Sequence, residues 1–265
     1  MTNYIGIDIG GSKIFAIRAN NKLKIEKRIL EKTSKERNSF EKILFHIIDS
    51  IITKDTKAIG VAWPGTINPK TGNIINTPNI PKLNKYPLKK ILEKRYSLPV
   101  SIDNDSKLFA LGESSGKTKC FLGIILGTGV GCGIIVNGKI FSGEEGHAGE
   151  IGHTYLDPYK KISTEDLFSG KGINNYLKNK KSLTKITRLM SIWIYNLIMT
   201  FNPKEIIFGG GIGQNILPRF IKKVEKNVKK LVKEKGFSNL VKLQISKKEN
   251  SGALGALRLA MQNNN

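Results

Sequence analysis

Apolar and polar positions alternate over residues 4–8, 13–19 and 24–29, which predicts three strands, the first turned into the second at Gly10 and Gly11. From residue 40 to 53 the apolar positions recur instead at three- and four-residue intervals, the spacing of one buried helix face. A strand follows at 58–62 and stops at Pro64 and Gly65. Beyond a proline-spaced stretch, the pattern predicts a helix over 88–96 and a strand over 99–102. The order is therefore three strands, helix, strand, helix, strand. It repeats approximately downstream, with strands near 121–126, 131–136 and 139–141, a long helical region from 173 to 200, a strand at 205–208, a helix over 214–235, a strand near 241–245 and a last helix from Ser251. Two similar halves with mixed sheets predict two α/β lobes and a cleft between them. The boundary is placed after residue 104, giving an N-terminal small lobe (1–104), onto which the helix 251–262 packs back, and a large lobe (105–250).

A chain of 265 residues can bury one large core or two modest ones. No run of eighteen apolar residues occurs, and the first residues enter a strand at once, so neither a membrane span nor a signal peptide is expected and the cytoplasm is the expected compartment. Cys120 and Cys132 sit in apolar surroundings without metal-ligand spacing and read as buried small hydrophobes. The formal charge of +23 would suit a polyanion. The lysines are spread along the chain, however, and no aromatic residues are interleaved with them as in single-strand binders. Together with the abundant Ile and Asn, they read as solvated faces shaped by coding bias, with no specific nucleic-acid partner.

Five constellations carry candidate chemistry. The first is Asp8, Gly10, Gly11, Ser12 and Lys13, where glycines let backbone N–H groups approach phosphate and a strand-end carboxylate can hold hydrated Mg²⁺; a plain hairpin is the alternative. The second, Gly127, Thr128, Gly129 and Gly131, is again a glycine hairpin with a hydroxyl in reach of a phosphate. One such loop opening each half of a duplicated fold is what a triphosphate gripped between lobes requires. The third is Asp103, Asn104 and Asp105, ahead of a helical pattern: Asp105 is the candidate general base, or else the helix N-cap. The fourth is the run 143–153, which packs carboxylates, glycines and two of the chain's three histidines together. Glu150 and His153 in particular suit a ligand whose hydroxyls both donate and accept hydrogen bonds. The fifth is Gly209, Gly210 and Gly211 after a buried strand, open to a flat or anionic ligand. The small residues from Ser251 to Ala256 do likewise or serve tight helix packing.

Taken in order, these pieces resemble the ROK family of sugar kinases and repressors, in the actin-like (ribonuclease H-like) ATPase superfamily. The resemblance runs nearly end to end, through Asp8 to Lys13, residues 60–65 ending in Pro64 and Gly65, Thr77-Pro78-Asn79, Asp103-Asn104-Asp105 with Gly112-Glu113, the 126–131 loop, the 149–153 segment and the three glycines from 209. It implies ATP-dependent phosphorylation of a hexose hydroxyl, with the 6-hydroxyl of glucose as first expectation and N-acetylmannosamine, N-acetylglucosamine or fructose as alternatives. It further implies Asp105 as base and Gly65, Asn79, Asn104, Glu150 and His153 at the sugar. Glu165 is carried over as a sugar ligand from a family glutamate that precedes a Ser-Gly pair. The implied ATP and Mg²⁺ contacts are Asp8 (to the metal through water), Gly10, Gly11, Ser12, Lys13, Gly127, Thr128, Gly129, Gly209, Gly210 and Gly211. A homodimer is the implied assembly.

The chain departs from the family where many members hold a structural zinc with a histidine and three cysteines. Residues 154–164 contain no cysteine, and zinc needs about four soft or imidazole ligands, so no zinc is expected and His153 is left to the sugar. Two other functions stay in view: a sugar-responsive regulator without catalysis, which in the family carries an additional helix-turn-helix domain ahead of the kinase-like part, and a kinase that takes polyphosphate as donor along the lysines.

Overall fold

The computed structural model describes residues 1–68, 71–78, 80–177, 180–237 and 241–264. In chain order its first elements are β1 (Asn3–Ile9), β2 (Lys13–Asn20), β3 (Ile25–Lys32), α1 (Arg37–Ile51), β4 (Thr56–Trp63), β5 (Thr66–Ile67), β6 (Ile74–Asn76), α2 (Leu88–Tyr96), β7 (Val100–Asn104) and α3 (Asp105–Glu113). They continue as β8 (Cys120–Leu126), β9 (Val130–Val136), β10 (Lys139–Ile140), β11 (Tyr155–Asp157), β12 (Ile162–Ser163), α4 (Thr164–Phe168), α5 (Gly170–Tyr176), α6 (Lys180–Phe201), β13 (Glu205–Gly209), α7 (Gly210–Asn215), α8 (Ile221–Glu234), β14 (Lys242–Ile245) and α9 (Ser251–Asn263). The chain divides into two compact units. The first comprises Met1–Glu113, Ser142–His147 and Lys248–Asn265, and the second Ser114–Phe141 and Ala148–Lys247.

Each unit is an α/β body around a five-stranded mixed sheet, and the two sheets repeat one topology. The orders are β3-β2-β1-β4-β7 and β10-β9-β8-β13-β14. In both, a three-stranded antiparallel meander is extended by two parallel strands. The duplication read from the hydrophobic pattern is thus real.

In the first unit the two-residue period of β1 sorts side chains to opposite faces. Ile5, Ile7 and Ile9 enter a core with Phe40, Leu44, Ile47 and Ile48 of α1 and Leu88 and Leu92 of α2. Tyr4 lies in the core on α9, with Ala253, Leu257 and Ala260. Helix α9 comes close enough to touch backbone. Gly6 and Gly60 are paired across β1 and β4, and a Cβ at Gly60 would lie 1.8 Å from the Ala256 carbonyl oxygen. The small residues after Ser251 are therefore packing residues. Gly60→Ala is expected to cost about 3 kcal/mol and to lower the melting midpoint by roughly 6–12 °C, checked by thermal and urea unfolding.

The second unit buries Leu122, Ile124 and Leu126 of β8 against Met190, Trp193, Ile194 and Leu197 of α6 and Val224, Val228 and Val232 of α8. Those valines form one face of α8. Lys222, Lys223, Lys226 and Lys230 lie exposed on the rest of it, so this lysine run is a solvated helix face.

Three local readings need correction. The helical region 173–200 is two helices, α5 and α6. The helix over 214–235 begins at Gly210 as α7 and is interrupted by a tight turn at Leu217–Arg219, because Pro218 lacks the N–H that a continuous helix would use. Of the two thiols, Cys132 is buried but Cys120 is only half-buried. Burial pushes both thiol pKa values up, which disfavours thiolate chemistry. Among the described residues no helix is long and apolar enough to cross a membrane.

Candidate functional site

In both units the candidate residues gather at the carboxyl ends of parallel strands, where open α/β sheets receive ligands. Asp8 is near the end of β1, Gly65 follows β4, and Asn104 and Asp105 close β7 and open α3. The register pairs Asp8 with Ala62 and Ala62 with Asp103, so these strand ends are level.

Asp8 is on the face of β1 that meets α9. A Cβ at Gly252 would lie 2.3 Å from its Oδ2, so the first turn of α9 closes directly on the carboxylate. Its pKa is pushed up to about 7, first by burial and then by the negative charge of Asp105, with Lys13 opposing. The two carboxylates therefore share one electrostatic environment. The β1–β2 turn is fixed by a hydrogen bond from the Gly10 N–H to the Lys13 carbonyl (2.8 Å), while Thr33 Oγ1 donates to the Gly10 carbonyl (2.7 Å). Ser12 and Lys13 project from this turn exposed.

At the end of β7 the capping question is answered by Asn104. Its Oδ1 accepts from the Ser106 N–H (3.0 Å), from the Ser106 hydroxyl and from the Lys107 N–H (3.4 Å), which is the N-cap role for α3. Its Nδ2 donates to the Gly65 carbonyl at 3.1 Å, pinning the turn after β4. Asp105 is thus not the cap but the first helical residue, with Oδ1 held by the Ser106 N–H at 2.8 Å. Gly65 is required there, since a Cβ would lie 2.1 Å from the Asn76 carbonyl oxygen. Trp63 Nε1 donates to the buried Thr77 hydroxyl (2.8 Å) and anchors the chain before Asn79, which lies outside the described residues.

A residue that sequence reasoning passed over is Lys107. It is buried, and its Nζ donates to the Gly146 carbonyl (2.7 Å) and to Ser142 Oγ (3.4 Å), with Asp103 Oδ1 3.9 Å away. Lys107 ties the 142–147 segment to α3 two residues after Asp105. The Asp103–Lys107 spacing of four was visible; that this lysine is buried was not.

In the second unit β9 is the common anchor. The Val130 N–H donates to Glu165 Oε2 at 2.8 Å, and the Gly170 N–H to the Gly127 carbonyl at 2.7 Å, so the α4–α5 corner clamps the loop of Gly127, Thr128 and Gly129. Glu165 stands at the start of α4, whose N-cap Ser163 and Asp166 form a reciprocal capping box. Gly149 and Gly152 pack on the Cys132 and Val130 carbonyls, which places Glu150 and His153 beside the same strand. Glu150 Oε2 and His153 Nε2 are 3.6 Å apart and both side chains are exposed. Gly209 ends β13, and Gly210, at φ 78°, would bring a Cβ within 2.5 Å of the Leu126 carbonyl, so the three glycines abut the Gly127 loop. Among the described residues no group of three or more His, Cys, Asp or Glu side chains is arranged to hold a metal ion.

Comparison with known proteins adds an independent line. A model of the ROK family matches residues 4–191 and 160–263. The N-acetyl-D-glucosamine kinase of Histophilus somni is 31% identical over 258 residues, covering 79% of this chain and 84% of the relative. The crystal structure of a ROK hexokinase from Thermus thermophilus superposes with a TM-score of 0.87 over 99% of both chains at 23% identity. A ROK family glucokinase from Streptomyces griseus, in complex with glucose and AMPPNP, superposes with a TM-score of 0.75 at 22% identity, over 98% of this chain and 99% of that one.

Proposed function

This chain belongs to the ROK family, and we propose that it is an ATP-dependent sugar kinase that transfers the γ-phosphate to a hydroxyl of glucose or of its 2-acetamido counterpart. The observation that carries this reading is the pair Asp8 and Asp105, two carboxylates at the ends of β1 and β7, the strands on either side of β4, close enough for the charge of one to raise the pKa of the other. A lone hairpin or a lone helix cap would have no use for such a pair. The kinases named above support the same chemistry. The relative at 31% identity is an N-acetylglucosamine kinase, and the glucokinase structure carries the ATP analogue AMPPNP.

In this reading Asp105 takes the proton of the attacking sugar hydroxyl, its carboxylate oriented by the Ser106 N–H. Asn104 spends its amide on α3 and on the Gly65 carbonyl, so its contribution to the sugar is to hold both Gly65 and the base in place. Glu150 and His153, exposed beside β9, are the proposed hydroxyl readers. The two glycine hairpins and the glycines from 209 receive the nucleotide. Asp8 fits a divalent cation, because burial and a like charge both disfavour its ionised form and a cation offsets both. Bound Mg²⁺ would neutralise phosphate charge.

Glu165 has two duties in this scheme. It is proposed to contact the sugar, and its carboxylate accepts from the buried Val130 N–H. Glu165→Ala strands that N–H and is expected to cost about 1–3 kcal/mol and to raise KM for ATP as well as for sugar. Glu165→Gln keeps an acceptor and should recover most of the stability and the ATP KM. If the alanine variant changed only the sugar KM, with an unaltered melting midpoint, Glu165 would serve the sugar alone.

The reading as a whole is tested by coupled ADP release with Mg-ATP or polyphosphate over glucose, N-acetylglucosamine, N-acetylmannosamine and fructose, with the phosphorylated position read by NMR. Turnover of at least one sugar with ATP is expected. No turnover of any sugar with ATP would sink it, and turnover with polyphosphate alone would replace ATP as the donor.

A further inference from the structure

At the amino ends of the parallel strands β8, β13 and β14, the second unit has a cavity of about 430 Å³. The glycine loops sit at the opposite, carboxyl ends of β8 and β13. Seven strand residues at about 3.3 Å each separate the two ends by roughly 20 Å. The cavity is lined by Lys117, Lys119 and Lys204, with Thr118, Pro203 and Val241 among the remaining wall residues. Among the described residues no carboxylate lines it. The nearest acid in sequence, Glu205, is engaged by Gln244 Nε2 at 2.8 Å. None of the three ammonium groups has an ion-pair partner among the described residues.

Two further observations point to a ligand. Thr118 lines the cavity with its Oγ1 turned away from solvent and without a hydrogen-bond partner among the described residues, an unfavourable state that rotation of the side chain onto a polar ligand would relieve. The volume is also too large for a bare anion and falls in the range of small-molecule sites. One competing role for the lysines is to offset the partial negative charge at the end of α6. That end is already served in part by Asn202, which at φ 44° returns its N–H to the Ile198 carbonyl.

We propose that this cavity binds a phosphate monoester of a small metabolite, with the phosphoryl group among Lys117, Lys119 and Lys204 and accepting from the Thr118 hydroxyl, and with the body of the ligand against Pro203 and Val241. Within the second unit the site is at the opposite strand ends from the Gly127 and Gly209 loops, and it does not depend on the kinase reading. Two sources share this chemistry, a hexose phosphate and a nucleoside monophosphate.

The test is isothermal titration calorimetry of the full chain at low salt with inorganic phosphate, glucose 6-phosphate, N-acetylglucosamine 6-phosphate and AMP, repeated with saturating sugar and Mg-AMPPNP to block the glycine-loop sites. One ester is expected to bind under the blocked condition at least tenfold more tightly than inorganic phosphate, and which ester does so identifies the source. Lys119→Gln with Lys204→Gln should weaken it tenfold or more. Thr118→Val should weaken it several-fold while raising the melting midpoint of the ligand-free protein. Lys222→Gln with Lys230→Gln on α8 should leave affinity unchanged. Three results would overturn the proposal: no binding under the blocked condition, affinity unaltered by the Lys119 and Lys204 changes, or equal weakening by the α8 changes, which would mark general attraction to a basic protein.

Discussion

Asp105→Asn is expected to lower kcat by about 10²- to 10⁴-fold, with the KM for ATP and for sugar changed by less than about threefold and the fold intact. The substitution keeps the side-chain volume and an oxygen that can accept from the Ser106 N–H at the Oδ1 position. It removes only the ability to take a proton. Because Asn104 supplies the α3 cap, the helix start keeps its side-chain acceptor when the Asp105 charge is removed. A purely structural aspartate would behave differently, with stability and turnover falling together. Here the two should move in opposite directions, since removing the Asp105 charge lifts one of the two influences that push the Asp8 pKa up, and the variant should be slightly more stable than wild type at pH 8. Steady-state kinetics and thermal unfolding on the same preparation check both halves. A kcat within tenfold of wild type would remove Asp105 from the role of base.

Most of the architecture was legible because it rests on long periodic segments. The order of the longer strands and helices in both halves follows from alternation and helical spacing, and α2 lies over the same residues that its pattern predicts. Strands β5, β6, β11 and β12 escaped because two or three residues contain no period to detect. The break at Pro218 was legible and underweighted: the valine spacing of α8 made the helix look longer than a proline allows.

The candidate site was legible in its residue types and opaque in its partners. Asp8, Asp105 and the glycine hairpins stand out because glycines and carboxylates at strand ends are unusual in a core. Which of Asn104 and Asp105 caps α3 depends on where the helix begins, and element boundaries are the least legible feature of a sequence. The bond from the Val130 N–H to Glu165 spans 35 positions, and Lys107 reaches Gly146 across 39. Contacts at such separations are set by tertiary packing, which no local pattern encodes.

Asp8→Asn is expected to abolish turnover and, at the same time, to stabilise the ligand-free protein at pH 8 by on the order of 2–4 kcal/mol. Ionised Asp8 is held against the first turn of α9 and beside a second carboxylate, so its folded pKa of about 7 stands well above the ordinary 3.8. A carboxyl that binds its proton more tightly folded than unfolded favours folding least when the solution strips that proton away. Well below pH 3.8 the group is protonated in both states and costs nothing. As the pH rises from about 4 to 7 the unfolded chain ionises while the folded one resists, and this group's contribution to stability is lost progressively across that window. Urea unfolding of wild type and Asp8→Asn at pH 4, 5.5, 7 and 8 reads the effect directly: the gap should be small at pH 4, widen to pH 7 and level off above it. Mg-ATP should then raise the melting midpoint of wild type more than that of the variant, because a bound cation compensates a charge that only wild type possesses. A gap that stays constant from pH 4 to 8 would place the cost of Asp8 in packing, and an equal response of both proteins to Mg-ATP would take the cation away from Asp8.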